Sequence, residues 1–149
     1  MSWKKFEEDS PEFASLGFEK LNRKIAYLAM NKKDGSPRLH PVTPFIGSGM
    51  LFIFTEPSSP KIRDLRRDGR YALHCSVSRD APLIEFLVSG RVEEISDPGV
   101  RARAESIAAS PVVIDSYALF EFQVKRVLLV EYDEKKKKVV RRWNTKEGT

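Results

Sequence analysis

IAYLAMNKKDGSPRLHPVTPFIGSGMLFIFT, residues 25–55, is the stretch that decides the fold class. Ile25 to Met30 is a short apolar run, and Asn31-Lys32-Lys33-Asp34-Gly35 follows it as turn chemistry. Pro37 to Ile46 is the next run, Gly47-Ser48-Gly49 the next turn, and Met50 to Thr55 the third run. Three short runs separated by two turns predict a three-stranded antiparallel meander. Pro41 and Pro44 fall inside the second strand. Proline has no N–H to give to a ladder, so that strand is expected at a sheet edge or bulged there. The free backbone groups of an edge strand also offer main-chain hydrogen bonds to a ligand ring.

The rest of the chain extends the same pattern. Ser10-Pro11 reads as a helix cap followed by proline at the first helical position. Phe13, Leu16 and Leu21 then mark a short helix of about ten residues, so residues 1–22 form a helical extension. Ser59-Pro60 opens a second helix, with Ile62 and Leu65 inward and Asp68-Gly69 closing it through glycine. Arg70 to Val77 and Leu83 to Ile95 are long strand candidates joined by the turn residues 78–82. Asp97-Pro98 opens a helix to about Ser110, with Val100, Ala104, Ile107 and Ala108 on one face. Leu119 to Tyr132 and Val139 to Trp143 form a closing hairpin around Lys135 to Lys138. The prediction is a mainly β chain, 1–149 as a single domain, with six or seven mostly antiparallel strands and two or three short helices. A barrel is the natural architecture, because closure removes the exposed edges of many short strands.

Composition narrows the function. With 41% hydrophobic and 32% charged residues, the chain fits a globular protein rather than a disordered or membrane one. No apolar run approaches the ~20 residues of a membrane-spanning helix, so no membrane partner is expected. The opening MSWKKFEEDSPEF has no apolar stretch and does not read as a secretory signal. Cys75 is the one cysteine, which excludes an internal disulfide and a cysteine-rich metal site and favours a reducing, cytoplasmic setting. The net charge of +5 favours anionic partners. The lysine run is read as a solvated turn, and no aromatic-basic motif accompanies it, so nucleic acid is not an expected partner.

Two clusters carry the candidate chemistry. In Arg38-Leu39-His40-Pro41-Val42-Thr43, strand alternation puts Arg38, His40 and Val42 on one face and Leu39, Pro41 and Thr43 on the other. An arginine beside a histidine suits an anion, since guanidinium donors match phosphate; a solvent-facing polar edge explains the same pattern. In Phe54-Thr55-Glu56-Pro57-Ser58-Ser59-Pro60-Lys61, a strand end leads into a helix start with two hydroxyls and one full charge. A capped surface helix explains that pattern too. His40 and His74 lack metal-ligand spacing, so no metal is expected. No Gly-x-Ser-x-Gly, Gly-x-x-x-x-Gly-Lys or Gly-x-Gly-x-x-Gly occurs.

Taken in order, IAYLAMNKKDGSPRLHPVTPF, LFIFT-x5-KIRDLRRDGRYAL and LIEFLVSGRVEEI resemble the pyridoxamine 5'-phosphate oxidase-like, flavin-binding split-barrel superfamily. The likeness runs from Ile25 to about Trp143. It implies a homodimeric split barrel holding flavin mononucleotide (FMN) in the cleft between subunits. It further implies that Arg38, Thr55, Ser59 and Lys61 hold the phosphate, beside Phe54. Leu39, His40, Pro41, Val42 and Thr43 would line the ring and ribityl chain, largely through backbone, and Glu85 would reach the ring from the other subunit. This chain departs from the oxidase proper: Pro60-Lys61 replaces an Arg-Lys pair, Thr43 replaces a lysine, and Glu85 stands for a glutamine. Pyridoxamine 5'-phosphate oxidase activity itself is therefore not expected. The expectation is an FMN-dependent oxidoreductase acting on a small molecule, with no catalytic side chain identified. The alternatives are a reductase using the deazaflavin coenzyme F-420, with Arg63, Arg66 and Arg67 as a basic path for its tail, and a non-catalytic flavin-binding or stress-response module.

Overall fold

The computed structural model describes residues 2–80, 82–109 and 115–145. Its elements are α1 (Trp3–Asp9), α2 (Pro11–Leu21), β1 (Ala26–Asn31), β2 (Pro37–Val42), β3 (Phe45–Gly47) and β4 (Met50–Thr55). They continue as α3 (Lys61–Arg67), β5 (Arg70–Cys75), β6 (Leu83–Glu94), α4 (Pro98–Ala108), β7 (Ala118–Tyr132) and β8 (Lys138–Asn144). The expected end of the fourth helix near Ser110 lies outside the described residues. Among the described residues, eight strands and four helices exceed the expected six or seven and two or three, because α1 and β3 are short and carry little sequence signal.

The strands form one antiparallel sheet in the order β2-β1-β5-β6-β7-β4-β3, with β8 on β7. This is a split barrel: the path ends at β2 and β3, which follow one another in the chain but do not pair. The expected meander is therefore corrected. Thr43-Pro44 ends β2 and sends the chain to the far side of the sheet, where β3 and β4 pair with each other and β4 continues onto β7. Pro41 sits in β2, which pairs only with β1 and is an edge as the prolines require.

Alternation along the strands builds two apolar layers. The concave face contributes Leu28, Leu73, Phe86, Val88 and Phe122 to the main core. α1 and α2 close over it with Trp3, Phe6 and Phe13, where Phe6 meets both other rings edge-on at about 5 Å. α3 adds Ile62 and Leu65 to the same core. The other face of β4 and β7 carries Phe52 and Leu119 under Ala104 of α4, whose start is capped by Asp97 accepting from Val100 N–H at 3.1 Å.

Two glycines show how sheet and helices are fitted. Gly90 marks a β-bulge, and a Cβ there would lie 2.1 Å from the Gln123 carbonyl oxygen. Gly69 does not close α3 in the left-handed conformation expected of a terminal glycine. Its carbonyl instead accepts from Val92 N–H at 2.8 Å, and a Cβ would lie 3.0 Å from Val92 O. Close backbone approach, not turn geometry, requires glycine at that position.

Candidate anion-binding site

β2 alternates as its sequence predicts. Arg38, His40 and Val42 are half-buried, while Leu39, Pro41 and Thr43 are exposed, Leu39 by 66%. The half-buried side faces α3. Lys61, the first residue of that helix, places Nζ 3.4 Å from His40 Nδ1 and donates to Ser59 Oγ at 3.0 Å. Ser59 Oγ also accepts from Lys61 N–H at 3.3 Å. Arg38, His40, Ser59 and Lys61 therefore converge, although two elements far apart in sequence supply them.

Asp64 organises this cluster. The helical stripe that buries Ile62 and Leu65 carries Asp64 inward with them, to 5% exposure. Its carboxylate accepts from Arg38 Nε at 2.6 Å and from Arg67 Nη2 at 3.0 Å. Burial alone would raise its pKa, but the two guanidinium hydrogen bonds outweigh that and hold it below its ordinary value. Sequence reasoning missed Asp64, because an acid three residues before an arginine looks like an ordinary surface pair.

The cations are crowded. Burial lowers the pKa of Lys61, the Arg38 charge lowers it further, and Glu56 opposes. Burial also lowers that of His40, with Lys61 and Arg38 adding to the effect and Asp64 opposing. Both groups resist their own protonation chiefly because they are partly buried, with the Arg38 charge adding to the effect. An anion placed among them would oppose that effect by favouring the charged forms.

The other candidate residues lie elsewhere. Thr55, at the end of β4, is 2% exposed, and its hydroxyl has no hydrogen-bond partner among the described residues. Phe54 lies on the opposite face of β4. Its ring packs edge-on against Phe52, with the Arg101 guanidinium 5.5 Å from its centroid, so only its backbone is on the Thr55 side. Glu85 is on β6, with Oε1 3.9 Å from His74 Nε2. Hydrogen bonding to Cys75 raises the His74 pKa and desolvation opposes it, with Glu85 adding a smaller upward effect. Within one chain Glu85 belongs to the β5–β6 surface and not to the Arg38–Lys61 cluster. Of the three α3 arginines, Arg66 is bidentate on Glu94, Arg67 is held by Asp64 and the Asn31 carbonyl, and Arg63 has no ion pair among the described residues.

A sequence model of the family described as pyridoxamine 5'-phosphate oxidase matches residues 18–131. No curated protein matches the chain in sequence. Several solved structures share its fold. A heme-binding protein from Mycobacterium smegmatis is 17% identical, with TM-score 0.66 over 83% of this chain. This chain spans 53% of that protein. PhzG from Burkholderia lata, in complex with tetrahydrophenazine-1-carboxylic acid, is 13% identical, with TM-score 0.66 over 95% of this chain and 92% of that one. An FAD-binding protein from Mesorhizobium loti is 21% identical, with TM-score 0.63 over 80% of this chain and 91% of that one.

Replacing Asp64 with Asn should lower stability by about 3 kcal/mol at neutral pH, since it leaves Arg38 and Arg67 without their buried counter-charge. The folded pKa of Asp64 lies below its ordinary 3.8. Its contribution is therefore complete above that value and is lost as pH falls through the folded pKa. Denaturant unfolding of both proteins at pH 7 and pH 3 checks this. The difference should shrink at the lower pH, and a difference of constant size would show that the charge is not responsible.

Proposed function

This chain belongs to the pyridoxamine 5'-phosphate oxidase family, and from that premise we propose that it is an FMN-binding, homodimeric oxidoreductase of the cytoplasm. The observation that carries the reading is the convergence of Lys61, His40 and Arg38, held by buried Asp64, on one side of an edge strand. Thr55 adds an independent one. A buried hydroxyl with no partner costs stability unless a ligand satisfies it, and β4 ends just before the loop that delivers Ser59 and Lys61. These residues fit a phosphate and its attached ribityl chain.

In this reading Lys61 and Arg38 neutralise the phosphate, the Ser59 and Thr55 hydroxyls hydrogen-bond the cofactor, and the unpaired edge of β2 lies along the ring. Bound flavin supplies the hydride and electron chemistry, and the protein supplies binding and orientation. No side chain near the cluster has the pairing of a dedicated general acid or base, so substrate turnover rests on positioning. The deazaflavin alternative ranks second, because two of the three arginines on which its tail depends already carry carboxylates. The fold of the FAD-binding relative supports a flavin over a nucleic-acid partner. Among the described residues no helix is long and apolar enough to cross a membrane.

The outward face of β2, β1 and β5 supports the dimer reading. Leu39, Tyr27 and Ile25 are 66%, 44% and 56% exposed there, and Tyr27 lies opposite both Pro41 and His74. A contiguous apolar sheet face of this kind fits a second copy of the chain. His74 and Glu85 lie on the same face, so the partner subunit would bring Glu85 to the cofactor cleft.

Lys61→Ala should weaken FMN binding by roughly 1.5–3 kcal/mol, the size of a charge-assisted hydrogen bond, while leaving phosphate-free riboflavin nearly unchanged. Fluorescence titration of apo protein with each ligand checks this, and equal weakening of both would mean that Lys61 does not read the phosphate. Sedimentation should give a dimer of twice 17.0 kDa, with Leu39→Glu shifting it toward monomer and weakening FMN. A monomer that binds FMN tightly would contradict the intersubunit site.

A further inference from the structure

The phosphate cluster does not end at Arg38. Beyond it lies a cavity of about 480 Å³ between α3 and the turn joining β1 to β2. Five cations line it: Lys32, Lys33, Arg38, Arg63 and Arg67. Two carboxylates, Asp34 and Asp64, line it as well, so the lining keeps a net positive charge. Asp64 holds Arg38 and Arg67, and Asp34 accepts from the Ser36 N–H at 3.0 Å and from its hydroxyl. Lys32, Lys33 and Arg63 have no ion pair among the described residues. The backbone of the turn that carries Lys32 is fixed: Lys32 N–H donates to Ser36 O at 2.8 Å, Gly35 N–H donates to Lys32 O at 2.9 Å, and Gly35 takes φ +87°. A second cavity, of about 590 Å³, shares Lys32, Lys33 and Arg67 and leaves the approach from solvent open.

A single phosphate at Lys61 uses Lys61, His40 and Arg38 and leaves Lys32, Lys33 and Arg63 unused. Five cations against two carboxylates leave a net positive lining, and an anion there relieves the remaining repulsion. Arg38 belongs to both groups, so the two positions are continuous. We propose that the cavity is a second anion subsite, for the later phosphates of a linked phosphate chain whose first phosphate sits at Lys61. Lys32, Lys33 and Arg63 are its ligands, so a cofactor or substrate carrying a pyrophosphate gains contacts there beyond those FMN makes with its lone phosphate. The proposal rests on the phosphate reading of Lys61 but not on flavin being the attached group.

Isothermal titration with inorganic phosphate, pyrophosphate and tripolyphosphate, and separately with FMN and FAD, tests it. In the unaltered protein pyrophosphate should bind about tenfold tighter than phosphate, and FAD tighter than FMN, with both gains reduced by salt. The variant Lys32→Ala/Lys33→Ala/Arg63→Ala should lose both gains while binding phosphate and FMN as before. Lys135→Ala/Lys137→Ala/Lys138→Ala changes net charge equally on a remote turn and should keep them. Loss of the gains in both variants would mean net charge alone is responsible and would overturn the subsite. So would a gain that survives in the first variant, or no gain in the unaltered protein. If neither flavin binds but pyrophosphate shows the site-dependent gain, the subsite stands and the flavin reading falls. If FMN binds and no chain-length gain appears, the reverse holds.

Discussion

One carboxylate buried between two guanidiniums sets the arrangement of the site. Removing Asp64 from water would cost several kcal/mol if it were unpaired. Arg38 and Arg67 offset that cost; the Arg38 pair binds an edge strand to a helix from a different part of the chain, while Arg67 pairs with Asp64 within that helix. β2 has a sheet neighbour on one side only. The Arg38–Asp64 pair is its polar tie on the other side, and it fixes how far His40 stands from Lys61. Without that tie, the positive charge of Arg38 and Lys61 would push the strand and helix apart.

The same cluster sets the electrostatics. Burial is the main reason that the pKa values of Lys61 and His40 are lowered; Arg38 adds to it at both, Lys61 adds to it at His40, and Glu56 opposes it at Lys61. A bound anion on the α3 side of β2 would favour the charged form of each. The positive lining continues past Arg38 to the β1–β2 turn, where Lys32 and Lys33 stand beside Asp34. A cleft with this distribution attracts anions before it makes any specific contact.

Much of the fold was legible because its signals are local. Apolar alternation and turn residues located β1, β4, β5, β6, β7 and β8 to within a few residues, and the prolines marked β2 as an edge. The partnership of β4 with β7 was not legible, because adjacent runs joined by short turns favour a hairpin, and nothing local reveals that Thr43-Pro44 crosses the sheet. Alternation likewise separated Arg38 and His40 from Leu39 and Pro41, and it already implied that Phe54 and Thr55 face opposite ways. Asp64 was hidden because its role depends on a residue 26 positions earlier. Lys32 and Lys33 looked like turn residues, and only the folded chain brings them beside Arg63.

The central claim is that Arg38, His40 and Lys61 receive a phosphate. Titration of the His40 ring by nitrogen-detected NMR tests it most directly, in the free protein, with FMN and with riboflavin. The free ring should titrate below its ordinary 6.5, because burial disfavours the imidazolium and Lys61 and Arg38 add to that effect. Bound FMN should move the midpoint upward, since the phosphate stabilises the imidazolium, and riboflavin should leave it in place. An unmoved midpoint with FMN bound, or an equal upward movement with riboflavin, would contradict the account.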